Sequence, residues 1–405
     1  MTTTDLNERV LVSAPGKVIL FGEHSVVYQK TAVAASLGLK SYLYLEKRQD
    51  KVIELVLPDV KVHKTWTIDQ IPLRLVSYPD SDTRHPTNMP TELKSRLDQL
   101  TQIKQDNSQS QAILAFLYLF VIMEAKCQTP FDQGFTLCVR SFLPVGAGLG
   151  SSASYSVAIA TALLILVGEI PTDFNKSELR EEYLIRINEY AFKAEEVIHG
   201  NPSGVDNAVA TYGGAKTFMR GQGFATLEGF QSLRLLLTNT KVPRSTNLLV
   251  AGVGEKRKTY PLIIEPMLES MNAIALHCRD AFKKSQDKSA LMDELEDLVG
   301  LNHCLLEGLG VSHPSLEKVR MITAESGLKT KLTGAGGGGC AVTFIREDVS
   351  QTVIDKVLSQ LKEEGFDCYQ TNVGGTGADA VTLTNDETKN WLLEANRDTL
   401  EHYFK

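Results

Sequence analysis

The chain has 405 residues and a formal net charge of −7, so no basic field draws it to nucleic acid or an anionic membrane. Hydrophobic residues at 43% and charged residues at 22% fit a globular protein of about two domains. Six cysteines without a CxxC pair, a polar Met-Thr-Thr-Thr-Asp start and apolar runs too short to span a bilayer (112–125 and 157–167) lead us to expect a cytoplasmic protein with reduced thiols, neither disulfide frame nor zinc site.

In chain order, Val10-Leu-Val12 reads as a strand, Ala14-Pro-Gly16 as a turn and 17–21 as a second strand. Gly22-Glu-His24 breaks that strand, which resumes at 25–28. Strands at 31–35, 40–47, 51–57 and 60–67, with turn signals at Gly38, Asp50 and Pro58-Asp59, predict an antiparallel sheet. Residues 77–110 are polar and read as a surface excursion with one helix at 91–101. A buried helix at 112–125 and a strand at 134–140 follow.

The strand delivers the chain to Pro144-Val-Gly-Ala-Gly-Leu-Gly-Ser-Ser-Ala-Ser154. Glycine at every second position, Gly146, Gly148 and Gly150, leaves the backbone free to take positive φ and to approach a ligand closely. Ser151 and Ser152 then open a tightly packing helix at 153–167. Unpaired N–H groups and the positive end of the helix dipole meet there, which predicts an anion site suited to a polyphosphate. It is neither a GxxxxGK[ST] loop nor a Rossmann loop.

A helix at 177–199 carries Glu195 four residues before His199 and ends in His199-Gly-Asn-Pro-Ser-Gly-Val-Asp206. Taken singly, the polar residues have ordinary readings: Lys17 as a surface strand start, Glu23 and His24 as an exposed turn, Glu195 as a solvated helix face, Asp206 as an N-cap. The second half reads as strands at 233–238 and 247–251 and helices at 260–283, 290–306 and 316–325. Next comes Lys331-Leu-Thr-Gly-Ala-Gly-Gly-Gly-Gly-Cys340, a second glycine-rich loop. A strand at 340–345, a helix at 350–364, strands at 368–373 and 380–383 and one closing helix at 386–403 complete it. The expected fold class is α+β in two domains, 1–228 and 229–405, the second a ferredoxin-like sandwich.

Three separated strings, GKVILFGEH, the loop at 144–154 with HGNPSGVDNAV, and KLTGAGGGGC, resemble the motifs of the GHMP small-molecule kinases. The likeness is closest to the eukaryotic mevalonate kinases and runs over nearly the whole chain. It implies a ribosomal-protein-S5-like first domain and an ATP- and Mg²⁺-dependent transfer of phosphate to the C5 hydroxyl of mevalonate, in isoprenoid and sterol synthesis. It implies Asp206 as the base and Lys17 as the charge beside it and the γ-phosphate. Lys17, Asp59, Ser141, Gly146, Ala147, Gly148, Leu149, Gly150, Ser151 and Ser152 are implied to hold ATP, and Ser152 and Glu195 the magnesium ion. Glu23, His24, Arg244, Thr246 and Ala335 fall around the implied mevalonate pocket. Asp59 stands where an asparagine is common, and Gln29 where many relatives carry glycine, so a local turn change is expected at Gln29. The resemblance also implies a homodimer inhibited by prenyl diphosphates. Another GHMP kinase acting on a different alcohol, or a non-catalytic GHMP-fold metabolite sensor, is the alternative reading.

Overall fold

The computed structural model describes residues 9–73, 75, 89–103, 107–127, 129, 131–144, 146–285, 287–384 and 386–404. Part of the expected surface excursion, together with Val145 of the first glycine loop, lies outside them. In the first half, strands β1 (Arg9–Phe21), β2 (Ala32–Lys47), β3 (Val52–Leu57) and β4 (Val62–Thr67) precede helices α1 (Thr91–Thr101) and α2 (Ser108–Glu124). Then follow β5 (Phe135–Ser141), α3 (Ser151–Leu166), α4 (Arg180–His199), α5 (Val205–Tyr212), β6 (Ala215–Met219) and β7 (Gly223–Thr226). The second half comprises β8 (Leu233–Asn239), α6 (Thr246–Thr259), α7 (Pro261–Lys284), α8 (Lys288–Gly308), α9 (Pro314–Ala324), β9 (Thr330–Leu332) and β10 (Cys340–Ile345). It ends in α10 (Gln351–Glu363), β11 (Asp367–Val373), β12 (Asp379–Leu383), α11 (Lys389–Glu394) and α12 (Arg397–His402).

The first sheet runs β4-β3-β5-β2-β1-β12, with β6 and β7 also extending from β2, and is antiparallel except where β3 meets β5. Helices α2 and α3 lie on it. From Ile113 to Met123 every α2 side chain is buried, as an all-apolar helix requires. The second sheet, β9-β10-β8-β11, is antiparallel and is covered by α7 to α10. The two sheets meet where Val373 of β11 pairs with Leu37 of β2. Gly38 allows that approach, since a Cβ there would lie 2.8 Å from Thr371 Oγ1. Gly38 is therefore inside a 16-residue strand and not in the expected turn. The chain finally returns to the first sheet, where β12 pairs with β1 and Leu392 and Leu400 pack against Leu11, Tyr42 and Tyr44.

Four other local expectations are corrected. Ala14-Pro-Gly16 is not a turn: β1 runs through it, and the register slips between Pro15 and Lys17. A bulge is where a strand tolerates a proline and re-aims the next side chain. Residues 25–28 form a 3₁₀ turn rather than a strand, entered through His24 at φ 60°. Residues 247–251 are helical within α6, because Ser245 caps Leu248 N and Lys256, Arg257 and Lys258 favour the far end of the dipole. The closing helix is two helices, separated at Ala395 (φ −59°, ψ 139°), where Arg140 Nη1 donates to the carbonyl oxygens of Leu392 and Ala395. Among the described residues no helix is long and apolar enough to cross a membrane.

Candidate active site

A crevice of about 750 Å³ opens where the first glycine loop, the β1 bulge, the turn after β1 and the start of α6 converge. Gly146, Gly148 and Gly150 take φ of 73°, 79° and 73°, the left-handed region in which only glycine is unstrained. The first backbone bond of α3 runs from Ser154 N to Gly150 O, so the N–H groups of Ser151, Ser152 and Ala153 lie outside the helical ladder. The β1 bulge locks onto this loop. Lys17 N donates to Leu149 O at 2.9 Å, and a Cβ on Gly16 would meet Leu149 O at 2.6 Å. Ser154 Oγ, one turn into α3, donates to Ala14 O at 2.7 Å.

That contact aims Lys17 along the loop. Its Nζ lies 3.3 Å from Asp206 Oδ1. Asp206 sits in the first turn of α5, whose N-cap is Gly204 at φ 80°, so the reading of Asp206 as an N-cap fails. Its carboxylate, 34% exposed, faces the crevice, while Lys17 is buried. Glu195 is no solvated face either. It is 3% exposed on α4, accepting from Ser156 Oγ at 2.9 Å and Ser152 Oγ at 3.3 Å. Burial, helped by the Asp206 charge, pushes its pKa up to about 7 against the pull of those serines and of Lys17. His199 Nε2 stands 3.0 Å from Ser152 Oγ and 3.7 Å from Glu195 Oε2, and burial lowers its pKa.

Across the crevice, Glu23 and His24 are buried rather than exposed. His24 Nε2 is 2.8 Å from Ala335 O, so that nitrogen carries the proton and donates. Burial and the nearby Arg244 charge hold the imidazole below its ordinary pKa against the pull of the Ala335 bond. Its Nδ1 is buried and has no hydrogen-bond partner among the described residues. Arg244 threads between the two glycine loops. Its Nη2 donates to Ala147 O at 3.1 Å, whereas its Nη1 is buried and has no hydrogen-bond partner among the described residues. Thr246, at the start of α6, completes this wall. Glu23 lies beneath, paired with the wholly buried Lys331; burial raises the carboxyl pKa and lowers that of the ammonium, and each charge opposes the other's shift.

The structure thus brings Lys17, Glu23, His24, Asp59, Ser141, Gly146, Gly148, Gly150, Ser151, Ser152, Asp206, Arg244, Thr246 and Ala335 to one crevice. Asp59 Oδ2 accepts from Ser141 N at 2.7 Å at its outer end. Ala147 and Leu149 point into the core and offer the loop only their backbone, and Glu195 stands behind Ser152. Sequence reasoning passed over His199, Lys331 and Asn302. The i,i+4 spacing to Glu195 is a usable signal for His199, and a polar residue on the apolar face of α8, beside Leu295, Leu298 and Val299, is one for Asn302; nothing local marks Lys331. Another group of ligand-type residues among those described, His303, Glu307 and Glu317, is a poor metal site. Leu332 N donates to His303 Nδ1 at 3.2 Å, which puts the ring proton on Nε2, where it is given to Glu317 at 2.8 Å.

Comparison with known proteins agrees with this geometry. The model of the GHMP kinases N terminal domain matches residues 114–214, and that of the GHMP kinases C terminal domain matches 287–363. Among solved structures, an L. major mevalonate kinase in complex with R-mevalonate has a TM-score of 0.66 at 25% identity, covering 90% of this chain and 96% of that one. The Methanococcus jannaschii mevalonate kinase has a TM-score of 0.67 at 22% identity, over 89% and 97% of the two chains, a likeness of fold. The mevalonate kinase of Candida albicans is 38% identical over 91% of this chain and 88% of its own. That of Mus musculus is 41% identical over 92% of this chain and 95% of its own, and on this full-length likeness the chain belongs to the mevalonate kinase family of the GHMP kinases.

Proposed function

We propose that the chain transfers the γ-phosphoryl group of ATP to the C5 hydroxyl of (R)-mevalonate, giving 5-phosphomevalonate and ADP in isoprenoid and sterol synthesis. The observation that carries this reading is the Lys17–Asp206 pair, held at the foot of the first glycine loop and facing the crevice. Phosphoryl transfer asks a protein for charge neutralisation and an in-line nucleophile, with little covalent work. The loop N–H groups and the α3 dipole hold phosphate oxygens. Asp206 orients the alcohol and takes its proton as the P–O bond forms. Lys17, 3.3 Å from Asp206 Oδ1, holds that carboxylate in place and offsets charge on the transferred group. On the acceptor side, the bare Arg244 Nη1 and His24 Nδ1 suit a ligand carrying both a carboxylate and a hydroxyl.

Ser152 and Glu195 fit Mg²⁺, which prefers hard oxygen ligands and keeps several waters. They would hold the ion, and its charge would offset that of the phosphate oxygens. Coupled ADP release with mevalonate, galactose, homoserine and phosphomevalonate tests the reading. Turnover with mevalonate is expected; turnover with another of these and none with mevalonate overturns it.

The family resemblance extends the proposal to a cytoplasmic homodimer, divided at 228/229, whose ATP site also takes prenyl diphosphates. An apolar corner of α6 and α7, with Tyr260, Leu262 and Ile263 exposed by 56%, 91% and 61%, supports the dimer. Sedimentation of Leu262→Glu tests it, with a monomer expected. Inhibition by farnesyl diphosphate that rising ATP relieves is the result expected for the shared site.

A further inference from the structure

Glu23 lies at the acceptor side of the crevice, yet its carboxylate is spent on the protein. One oxygen meets Lys331 Nζ, and the other accepts from Asn302 Nδ2 at 3.0 Å. All three side chains are buried. Lys331 also donates to Leu332 O at 2.8 Å, and its ammonium lies over the Phe21 ring, 5.9 Å from the centroid. The three residues come from far apart: Glu23 from the turn after β1, Asn302 from the C-terminal half of α8, and Lys331 from β9, three residues before Gly334. A buried ion pair is weak evidence for stability, because desolvation opposes its attraction. Its geometry is the stronger clue. The pair ties the turn carrying His24 to the strand that leads to Ala335, and His24 and Ala335 are themselves bonded at 2.8 Å. Thr333 Oγ1 reinforces the same junction by donating to Ile19 O at 2.9 Å.

We propose that Lys331 and Asn302 are positioning residues that act through Glu23, fixing the turn of β1 against the second glycine loop so that His24 and Ala335 are set for the acceptor. Glu23 then works as a strut and does not bind the acceptor through its carboxylate. The inference rests on the reading of this wall as the mevalonate pocket.

The test compares Lys331→Met, Asn302→Leu and the double variant Glu23→Gln/Lys331→Met in the full chain. Michaelis constants for mevalonate and ATP are measured beside thermal unfolding. Misplacement of a substrate-positioning wall is expected to raise KM for mevalonate or lower kcat by roughly ten- to a hundredfold, with KM for ATP within about twofold. The double variant removes both charges at once, so it is expected to unfold at a higher temperature than Lys331→Met while keeping the mevalonate defect. If Lys331→Met does not fold, Asn302→Leu and the double variant decide. The proposal is overturned if folded variants keep wild-type mevalonate kinetics. Equal rises of both Michaelis constants, or a double variant that recovers mevalonate kinetics along with stability, overturn it as well. A wrong acceptor would instead show as no turnover of mevalonate by the unaltered protein, which separates failure of the underlying reading from failure of this one.

Discussion

The two glycine-rich loops are built from similar residues and are glycine-rich for opposite reasons. In the first, a Cβ added to Gly146 would meet nothing within 4 Å, and Gly148 and Gly150 are approached by the long side chains of Arg244 and Lys17. In the second, the protein itself fills the space. A Cβ on Gly336 would lie 1.9 Å from Val311 O, one on Gly337 2.9 Å from Leu249 Cδ1, and one on Gly338 2.7 Å from Val242 Cβ. The first loop is bare toward the crevice, as a phosphate cradle must be. The second is a packed junction that carries Ala335 to the crevice and lets Arg244 pass.

The largest effect that would break this contrast lies beside the first loop. Asp206→Asn is expected to fold but to lose ~10²–10⁴-fold in kcat, the usual worth of a general base. Near-wild-type turnover in steady-state assays would mean that the bare loop is not where chemistry happens. Gly336→Ala comes next. It forces a Cβ into Val311 O at φ 76° and is expected to cost about 2–4 kcal/mol of stability in denaturant unfolding. Gly146→Ala, at a similar φ but in open space, is expected to cost only about 1 kcal/mol. It should raise KM for ATP by roughly tenfold, the equivalent of one lost phosphate hydrogen bond. Equal stability losses at the two glycines would erase the distinction.

Much of the first loop's geometry was legible because its features are local. Alternating glycines, a serine pair and a helix start are adjacent in the chain, and their physics needs no tertiary partner. Asp206 and Lys17 were legible only through the family likeness, because their ordinary readings as a cap and a strand start rest on neighbours in sequence. What contradicts the first reading is local, since Gly204 takes the cap two residues earlier, and what contradicts the second is tertiary, since the bulge at Gly16 turns Lys17 onto Leu149. Residues 247–251 misled for a related reason. A short apolar run has no period long enough to separate strand from helix, and the cap at Ser245 decides. Lys331 was illegible altogether. A lysine ahead of a glycine loop looks solvated until a carboxylate 308 residues away is found beside it.

A smaller effect probes the second loop through pH. Burial holds folded His24 below its ordinary pKa, near 6.5, so the unfolded chain binds the proton more readily. Stability from this group is complete above that value and is lost as pH falls through it. His199 and His303 are shifted the same way and Glu195, raised to about 7, acts with the opposite sign, so the unaltered protein's slope combines all four and only the His24 part is lost in the variant. Urea midpoints at pH 5.5 and 7.5 are expected to differ less in His24→Gln than in the parent. An unchanged difference would mean that the His24–Ala335 contact opens before the chain unfolds.

The smallest expected effect concerns a position where neither a ligand nor a packed neighbour has enforced glycine. Gln29 closes the turn after β1 at φ 59° and ψ 33°, and it is exposed. A non-glycine residue there is strained by about 1–2 kcal/mol, against which glycine loses about 0.5–1 kcal/mol in chain entropy. Gln29→Gly is therefore expected to stabilise the protein slightly, by about 0.5–1 kcal/mol in urea unfolding, and to leave both Michaelis constants unchanged. The sign of this change separates backbone strain from side-chain support: a loss of stability would mean that the Gln29 side chain holds the turn.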